Sequence, residues 1–200
     1  MIVSVTNRLL CSDSLEDRVR ALAEGGIDCI LLREKDLREE AYEDLALRCR
    51  DICDAFGTKL IVNSRVGVAK RLGINTVQVP FPMLLENEGI CRDFPKAGVS
   101  VHSVFEARKA QALGAAFLIA GHIFETACKQ GLPPRGLSFL NEVCSAVSIP
   151  VLAIGGIRPK NLSAVKTAGA AGVCVMSKLM ACSEPNARIQ EYKAAFSANG

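Results

Sequence analysis

The chain has 200 residues, 50% of them hydrophobic and 22% charged, with 5% aromatics and no Trp. That much apolar content buries a continuous core and excludes the disordered and fibrous classes; a core so short of aromatics is built from Val, Ile, Leu and Ala, as in parallel α/β sheets. The formal net charge is +3, with Lys and Arg scattered among Asp and Glu, so there is no basic stripe for nucleic acid and small-molecule partners are expected.

Short apolar runs alternate with longer amphipathic stretches. Ile2–Thr6 reads as the first strand, and the turn after it, Thr6-Asn7-Arg8-Leu9, has no glycine. Ser14 caps a helix running to Glu24, Gly25-Gly26 ends it, and Cys29–Arg33 is the second strand. A helix over Glu40–Phe56 stops at Gly57 before Lys59–Asn63, and Gly73 precedes Thr76–Val79. Gly98–His102 leads into a helix over Val104–Leu113, with Gly114 ahead of Phe117–Ile123. Pro150–Gly155 is followed by a helix over Pro159–Ala168, then Gly169 and the last strand, Gly172–Met176. Eight such units of about 25 residues each make a (β/α)8 TIM barrel in a single domain over residues 1–200, short beside the usual ~250 residues. The rival, a doubly wound open sheet, requires fewer strands and a glycine-rich first turn.

The nine cysteines are odd in number and spread through apolar runs, which fits a reduced, cytoplasmic protein rather than a disulfide scaffold. Cys49 and Cys53 lie one helical turn apart without further ligands nearby, so no metal site is expected there, and Cys29, Cys144 and Cys174 read as small core residues. Thr6, Asn7 and Arg8 interrupt the first apolar run at once, so no signal peptide is expected. Uncharged stretches such as Thr167–Ser177 fall short of the ~18–20 apolar residues of a membrane span, so no membrane partner is expected.

In a barrel the chemistry sits at the C-terminal ends of the strands and in the loops after them. The candidates are therefore Asn7 and Arg8; Arg33, Glu34 and Lys35; Asn63 and Arg65; Gln78; Ser100, His102 and Ser103; His122, Glu125, Thr126 and Lys129; Gly155-Gly156; and Ser177. Gly155 and Gly156 open a helix after strand 7 and Ser177 follows strand 8, where free N–H groups receive a phosphate dianion. His122 suits reversible proton transfer, and regular alternation puts it on the face of Leu118 and Ala120. Alternation also sends Arg33 and Lys35 to one side, toward an anion, and Glu34 to the other, where it anchors a neighbour. The long loop from Glu125 to Arg135, with Lys129 and Arg135, reads as a lid over an anionic ligand. Phe81 and Met83 read as exposed apolar positions that suit a homodimer.

Leu32-Arg33-Glu34-Lys35, Val62-Asn63-Ser64-Arg65, Ser100-Val101-His102-Ser103, Gly121-His122-Ile123-Phe124-Glu125-Thr126 and Ala153-Ile154-Gly155-Gly156-Ile157 occur in the order seen in the thiamine-phosphate synthase superfamily, and the chain resembles that superfamily over nearly its whole length. The segment Gly121–Lys129, with Gly131-Leu132 and Arg135-Gly136, is most similar to the TenI-type thiazole tautomerase branch. In the synthases an Asn-Asp pair after strand 3 and an Asp after strand 4 hold the magnesium of a pyrophosphate substrate; here those places read Asn63-Ser64 and Val79-Pro80-Phe81-Pro82. The resemblance thus implies an isomerase that aromatises a carboxythiazole phosphate, without cofactor or metal. It gives His122 the role of proton shuttle, rests the phosphate on Gly155, Gly156 and Ser177, and leaves Arg33, Lys35, Asn63 and Lys129 to the rest of the substrate. Two alternatives remain: a thiamine-phosphate synthase joining a pyrimidine pyrophosphate to thiazole phosphate, and a non-catalytic regulator that binds thiazole phosphate.

Overall fold

The structure, a computed structural model, describes residues 1–129 and 131–197. Eight parallel strands close into a barrel in sequence order: β1 (Ile2–Val5), β2 (Cys29–Leu32), β3 (Lys59–Asn63), β4 (Val77–Pro80), β5 (Gly98–Val101), β6 (Phe117–Gly121), β7 (Val151–Ile154) and β8 (Gly172–Val175). Pairing of Ile2 with Val173 and of Ser4 with Val175 joins β1 to β8 and completes the ring. The barrel read from the sequence is thus the observed fold.

Each strand is buried on two faces, which is why its sequence is a continuous apolar run. Val3, Val5, Cys29, Leu31, Ile61, Ile119, Leu152 and Cys174 fill the barrel interior, with Phe117 and Ile154 packed against them. The alternate residues, among them Ile2, Ile30, Leu118, Ala120 and Val173, point outward and form the larger core with the helices. Those helices are α1 (Leu15–Glu24), α2 (Glu39–Ala55), α3 (Val66–Arg71), α4 (Phe81–Glu86), α5 (Ile90–Asp93), α6 (Val104–Ala112), α7 (Gly136–Ala146), α8 (Leu162–Thr167), α9 (Ser177–Met180) and α10 (Pro185–Ser197).

Local chemistry sets the joints. Ser14 Oγ accepts the Asp17 N–H at 3.1 Å and starts α1. The helix-exit glycines Gly26, Gly57, Gly73, Gly114 and Gly169 all take positive φ, as expected of turns that return the chain to the barrel. Between β4 and β5 the chain departs from the expectation for Phe81, which opens α4 and is buried in the outer core, while Met83 is half-buried against it. Neither of the two residues expected to be exposed there is; the large apolar side chains that do reach solvent include Leu85 on the same helix, and Leu9, Phe105 and Leu132 elsewhere. Cys49 and Cys53 are buried on α2, where removal from water pushes both thiols up, Cys53 to about 12. Among the described residues no helix is long and apolar enough to cross a membrane.

Candidate active site at the barrel mouth

A cavity of about 1130 Å³ opens at the C-terminal ends of the strands. Val5, Leu31, Ile119 and Cys174, the top of the packed interior, form its floor. The eight residues to which the resemblance gives a part in the site (Arg33, Lys35, Asn63, His122, Lys129, Gly155, Gly156 and Ser177) line this one cavity, whereas the strand-end candidates Asn7, Arg8, Glu34, Arg65 and Ser103 do not.

At the end of β2 the side chains alternate as anticipated. Arg33 and Lys35 line the cavity, and the Arg33 N–H is held by Thr6 Oγ1 at 2.8 Å. Glu34 turns away and is buried, accepting the Arg8 backbone N–H at 3.1 and 3.2 Å and the Arg8 guanidinium at 3.1 Å. Arg8 also pairs with Asp36, whose carboxylate is the chief cause raising the guanidinium pKa above its ordinary value. Arg8 is therefore a structural clamp across β1 and β2 and does not line the cavity. Lys35 is in the opposite situation: the positive charge of Arg33 foremost, then partial burial, then Lys129, hold its pKa below that of an ordinary lysine.

The wall formed by β3, β4 and β5 is neutral. Asn63 Nδ2 donates to Gln78 Oε1 at 2.7 Å, and Gln78 Nε2 donates to Ser100 Oγ at 2.7 Å and to the Val79 carbonyl at 2.9 Å. Asn63 thus spends its donor on Gln78 and keeps its carbonyl oxygen as an acceptor. These are the places where the superfamily would hold magnesium, and the donor set does not fit it. A hard divalent cation takes several oxygen ligands, usually with carboxylates among them. Here the strand ends offer two amides tied to each other, and among the described residues the only carboxylate lining the cavity is Glu125 on the loop and no group of three or more His, Cys, Asp or Glu could hold a metal.

On β6 the regular strand stops at Gly121, before the alternation reaches His122. Leu118 and Ala120 point outward into the helix layer, whereas His122 lines the cavity; it would share their face only if the strand stayed regular that far, and it does not. The Gly121–His122 peptide bond is cis. His122 ties the two ends of the following loop: its Nε2 lies 3.3 Å from the Leu132 carbonyl, and its own carbonyl accepts the Arg135 N–H at 2.9 Å. Since a carbonyl only accepts, Nε2 carries the proton in that contact. Arg135, expected over the ligand, does not line the cavity; its guanidinium stacks 5.4 Å from the Phe139 ring centroid. The second histidine, His102, also lines the cavity, with Nδ1 2.8 Å from the Gly121 carbonyl.

Gly155 and Gly156 follow β7 with φ of +98° and +66°. Both the backbone and the space require glycine: a Cβ on Gly155 would collide with His122 Cβ, and one on Gly156 would lie 2.5 Å from the Glu125 carbonyl oxygen and 2.7 Å from Phe124 Cβ. The Ile123 and Phe124 N–H groups donate to the Ile154 and Gly155 carbonyls at 2.9 and 3.0 Å, so the loop after β6 lies directly on this turn. Asn161 Nδ2 bonds the Gly156 carbonyl at 3.0 Å and Tyr192 Oη, on α10, bonds the Ile157 carbonyl at 3.0 Å, fixing the turn from behind. Across β8, the short helix α9 begins at Ser177; the Leu179 and Met180 N–H groups donate to the Met176 carbonyl at 3.0 and 2.9 Å, which leaves those of Ser177 and Lys178 without intrahelical acceptors.

Arg158 and Lys178 also line the cavity and were missed in the sequence. Each directly follows a segment that was recognised, Arg158 two residues after Gly156 and Lys178 one after Ser177, so extending those segments by a turn would have found them. Five cationic side chains, Arg33, Lys35, Lys129, Arg158 and Lys178, therefore share the cavity with the single carboxylate of Glu125.

Residues 2–179 match the family model described as Thiamine monophosphate synthase. The chain is similar to the thiamine-phosphate synthase of Roseiflexus castenholzii, 37% identical over 194 residues covering 94% of this chain and 84% of the relative. It is similar also to that of Desulfitobacterium hafniense strain Y51, 35% identical over 171 residues covering 84% and 82%. Among solved structures it superposes on a thiamine phosphate pyrophosphorylase from Pyrococcus furiosus with a TM-score of 0.86, 27% identity and coverage of 98% and 95%. These similarities overturn the expectation of an isomerase acting as a thiazole tautomerase, because these relatives are named as synthases or a pyrophosphorylase, which are transferases. The expectation gave two missing carboxylates more weight than the rest of the chain. Such a loss changes how a ligand's charge is neutralised, and the five cations offer another means of neutralising it. The proton-shuttle role given to His122 falls with that reading.

Proposed function

The chain belongs to the thiamine monophosphate synthase family, and on that premise we propose that it is a transferase joining a pyrimidine pyrophosphate to a thiazole phosphate. The observation that carries the reading is that one cavity holds both the glycine turn after β7 with the helix start after β8, and unpaired cations at the β2 end and on the β6 loop. The reaction has two phosphorylated partners and needs both.

The phosphate of the thiazole rests on the turn of Gly155 and Gly156 and on Ser177, where N–H groups bind a dianion without a counter-cation. The pyrophosphate end lies among Arg33, Lys35 and Lys129. As the thiazole nitrogen forms its bond to the pyrimidine-bearing carbon, the bond from that carbon to the pyrophosphate oxygen breaks and the electron pair leaves with the pyrophosphate. Fixed cations at that point stabilise the charge as it develops. Asn63 presents a carbonyl oxygen to a donor on the ligand, and His122 is a positioning residue that holds the loop carrying Lys129.

The test is direct. Incubation of the purified chain with both substrates is expected to release thiamine phosphate and pyrophosphate in equal amounts. Failure to form either product while both substrates bind would overturn the proposal.

A further inference from the structure

We infer that this cavity neutralises a pyrophosphate group with its own side-chain cations and needs no divalent metal to bind it. The inference rests on the transferase reading for the identity of the ligand, and on the charge inventory of the cavity for its substance.

Arg33, Lys35, Lys129, Arg158 and Lys178 make no ion pair with any described carboxylate; surface cations such as Arg20, Arg92 and Lys96 make none either, but these five are gathered on one cavity. Arg33, Lys35 and Lys129 are close enough that the first and last depress the ionisation of Lys35. Like charges gathered without partners repel, and a polyanion between them removes the repulsion. Each also donates in more than one direction, Arg33 as a planar fork and the lysines through three N–H groups, so the bridging and terminal oxygens of a pyrophosphate can all be met.

A divalent cation fares badly in the same place. It would add two positive charges to a cavity where five cations face one carboxylate, and it would find at the β3 and β4 ends the mutually bonded amides of Asn63 and Gln78. The residues that would balance a metal are replaced by neutral ones, while the cations that make it superfluous are present.

Two measurements on the full chain decide the matter. Inorganic pyrophosphate is titrated calorimetrically in EDTA and in excess magnesium. Binding in EDTA at least as tight as in magnesium is expected, weakened roughly tenfold by Arg33→Gln and by Lys35→Gln and unchanged by Arg71→Gln, a paired surface cation used as control. Binding that is tenfold or more tighter with magnesium, or absent from both buffers, overturns the inference. Condensation of the two substrates is then followed in the same buffers. Product in EDTA at the magnesium rate supports inference and reading together; product only with magnesium sinks the inference and spares the reading; pyrophosphate binding in EDTA without product in either buffer spares the inference and sinks the reading.

Discussion

The two anion-receptive ends of the cavity are built in opposite ways. At β7 the turn through Gly155 and Gly156 is set by backbone: two main-chain bonds from the β6 loop, one side-chain bond from Asn161 and one from the buried Tyr192 hold it on every side. At β2 the elements are long flexible cations, of which Arg33 is anchored through its N–H and Lys35 and Lys129 are exposed. The first region supplies a fixed backbone geometry, with Arg158 and Lys178 beside it, and the second supplies charge with little geometry. A phosphate ester that must stay in place through the reaction suits the first; a leaving group that must depart suits the second, since side chains that reorganise bind less tightly than preorganised amides.

The comparison breaks most readily at the glycines. Gly155→Ala combines a left-handed backbone with a clash against His122, and Gly156→Ala meets the Glu125 carbonyl and Phe124. Each is expected to destabilise the fold by on the order of 3 kcal/mol and to lower thiazole phosphate affinity roughly a hundredfold. Denaturant midpoints and equilibrium binding measure the two effects, and an alanine variant that binds normally would show that the turn yields and the geometric account is mistaken. Next in size comes Glu34→Gln. It leaves the Arg8 guanidinium and N–H against a weaker acceptor in a buried site, at a cost of about 2 kcal/mol of stability. Because Glu34 faces away from the cavity, pyrophosphate affinity should hold or rise slightly; a fall of several-fold would mean that the clamp also orients Arg33 and Lys35. Lys129→Ala should lower pyrophosphate affinity about fivefold and leave thiazole phosphate affinity alone, since it removes charge from one region without touching the backbone of the other.

The same contrast explains what the sequence disclosed. Strand ends are legible because eight apolar runs recur with glycine at the returns, and a barrel sends strand ends to one rim, so Arg33, Asn63, His122 and Gly155 could be brought together before any coordinates. Faces were harder to read. A strand buried on both sides shows no polar alternation, and nothing in Phe117–Ile123 announces that Ile119 points inward, that Leu118 points outward and that regular pairing ends at Gly121. Phe81, beside two prolines, read as an exposed apolar position and is instead the buried start of a short helix, because a six-residue helix has too few turns to display a period. Arg135 looked like a ligand cation and stacks on Phe139, a contact made four residues along α7 that charge counting does not register. The activity was misjudged for a related reason. The loss of acidic residues at Asn63-Ser64 and in Val79-Pro80-Phe81-Pro82 is visible in a sequence, but the charge balance of the whole cavity, including Arg158 and Lys178, exists only once the rim is assembled.

The smallest expected effect concerns Lys35 itself. In the free protein its charged form is disfavoured, chiefly by Arg33 and less by Lys129, so its pKa lies below the ordinary 10.5. In the window between that lowered value and 10.5 the unfolded chain holds the proton that the folded chain has lost, so this group's contribution to stability rises with pH there; the effect is slight because Lys35 is largely solvated. Binding runs the other way. A bound polyanion favours the charged ammonium, so pyrophosphate binding takes up a proton as the pH approaches the free pKa, and affinity falls as the pH rises through it. Titration of the lysine side chain by NMR in three proteins separates the causes. Arg33→Gln should return Lys35 toward 10.5 further than Lys129→Ala does, because Arg33 is the larger contributor. If neither variant moves the titration, the crowding of charge at β2 is not felt by Lys35, and the case for cations waiting on an anion loses its electrostatic support.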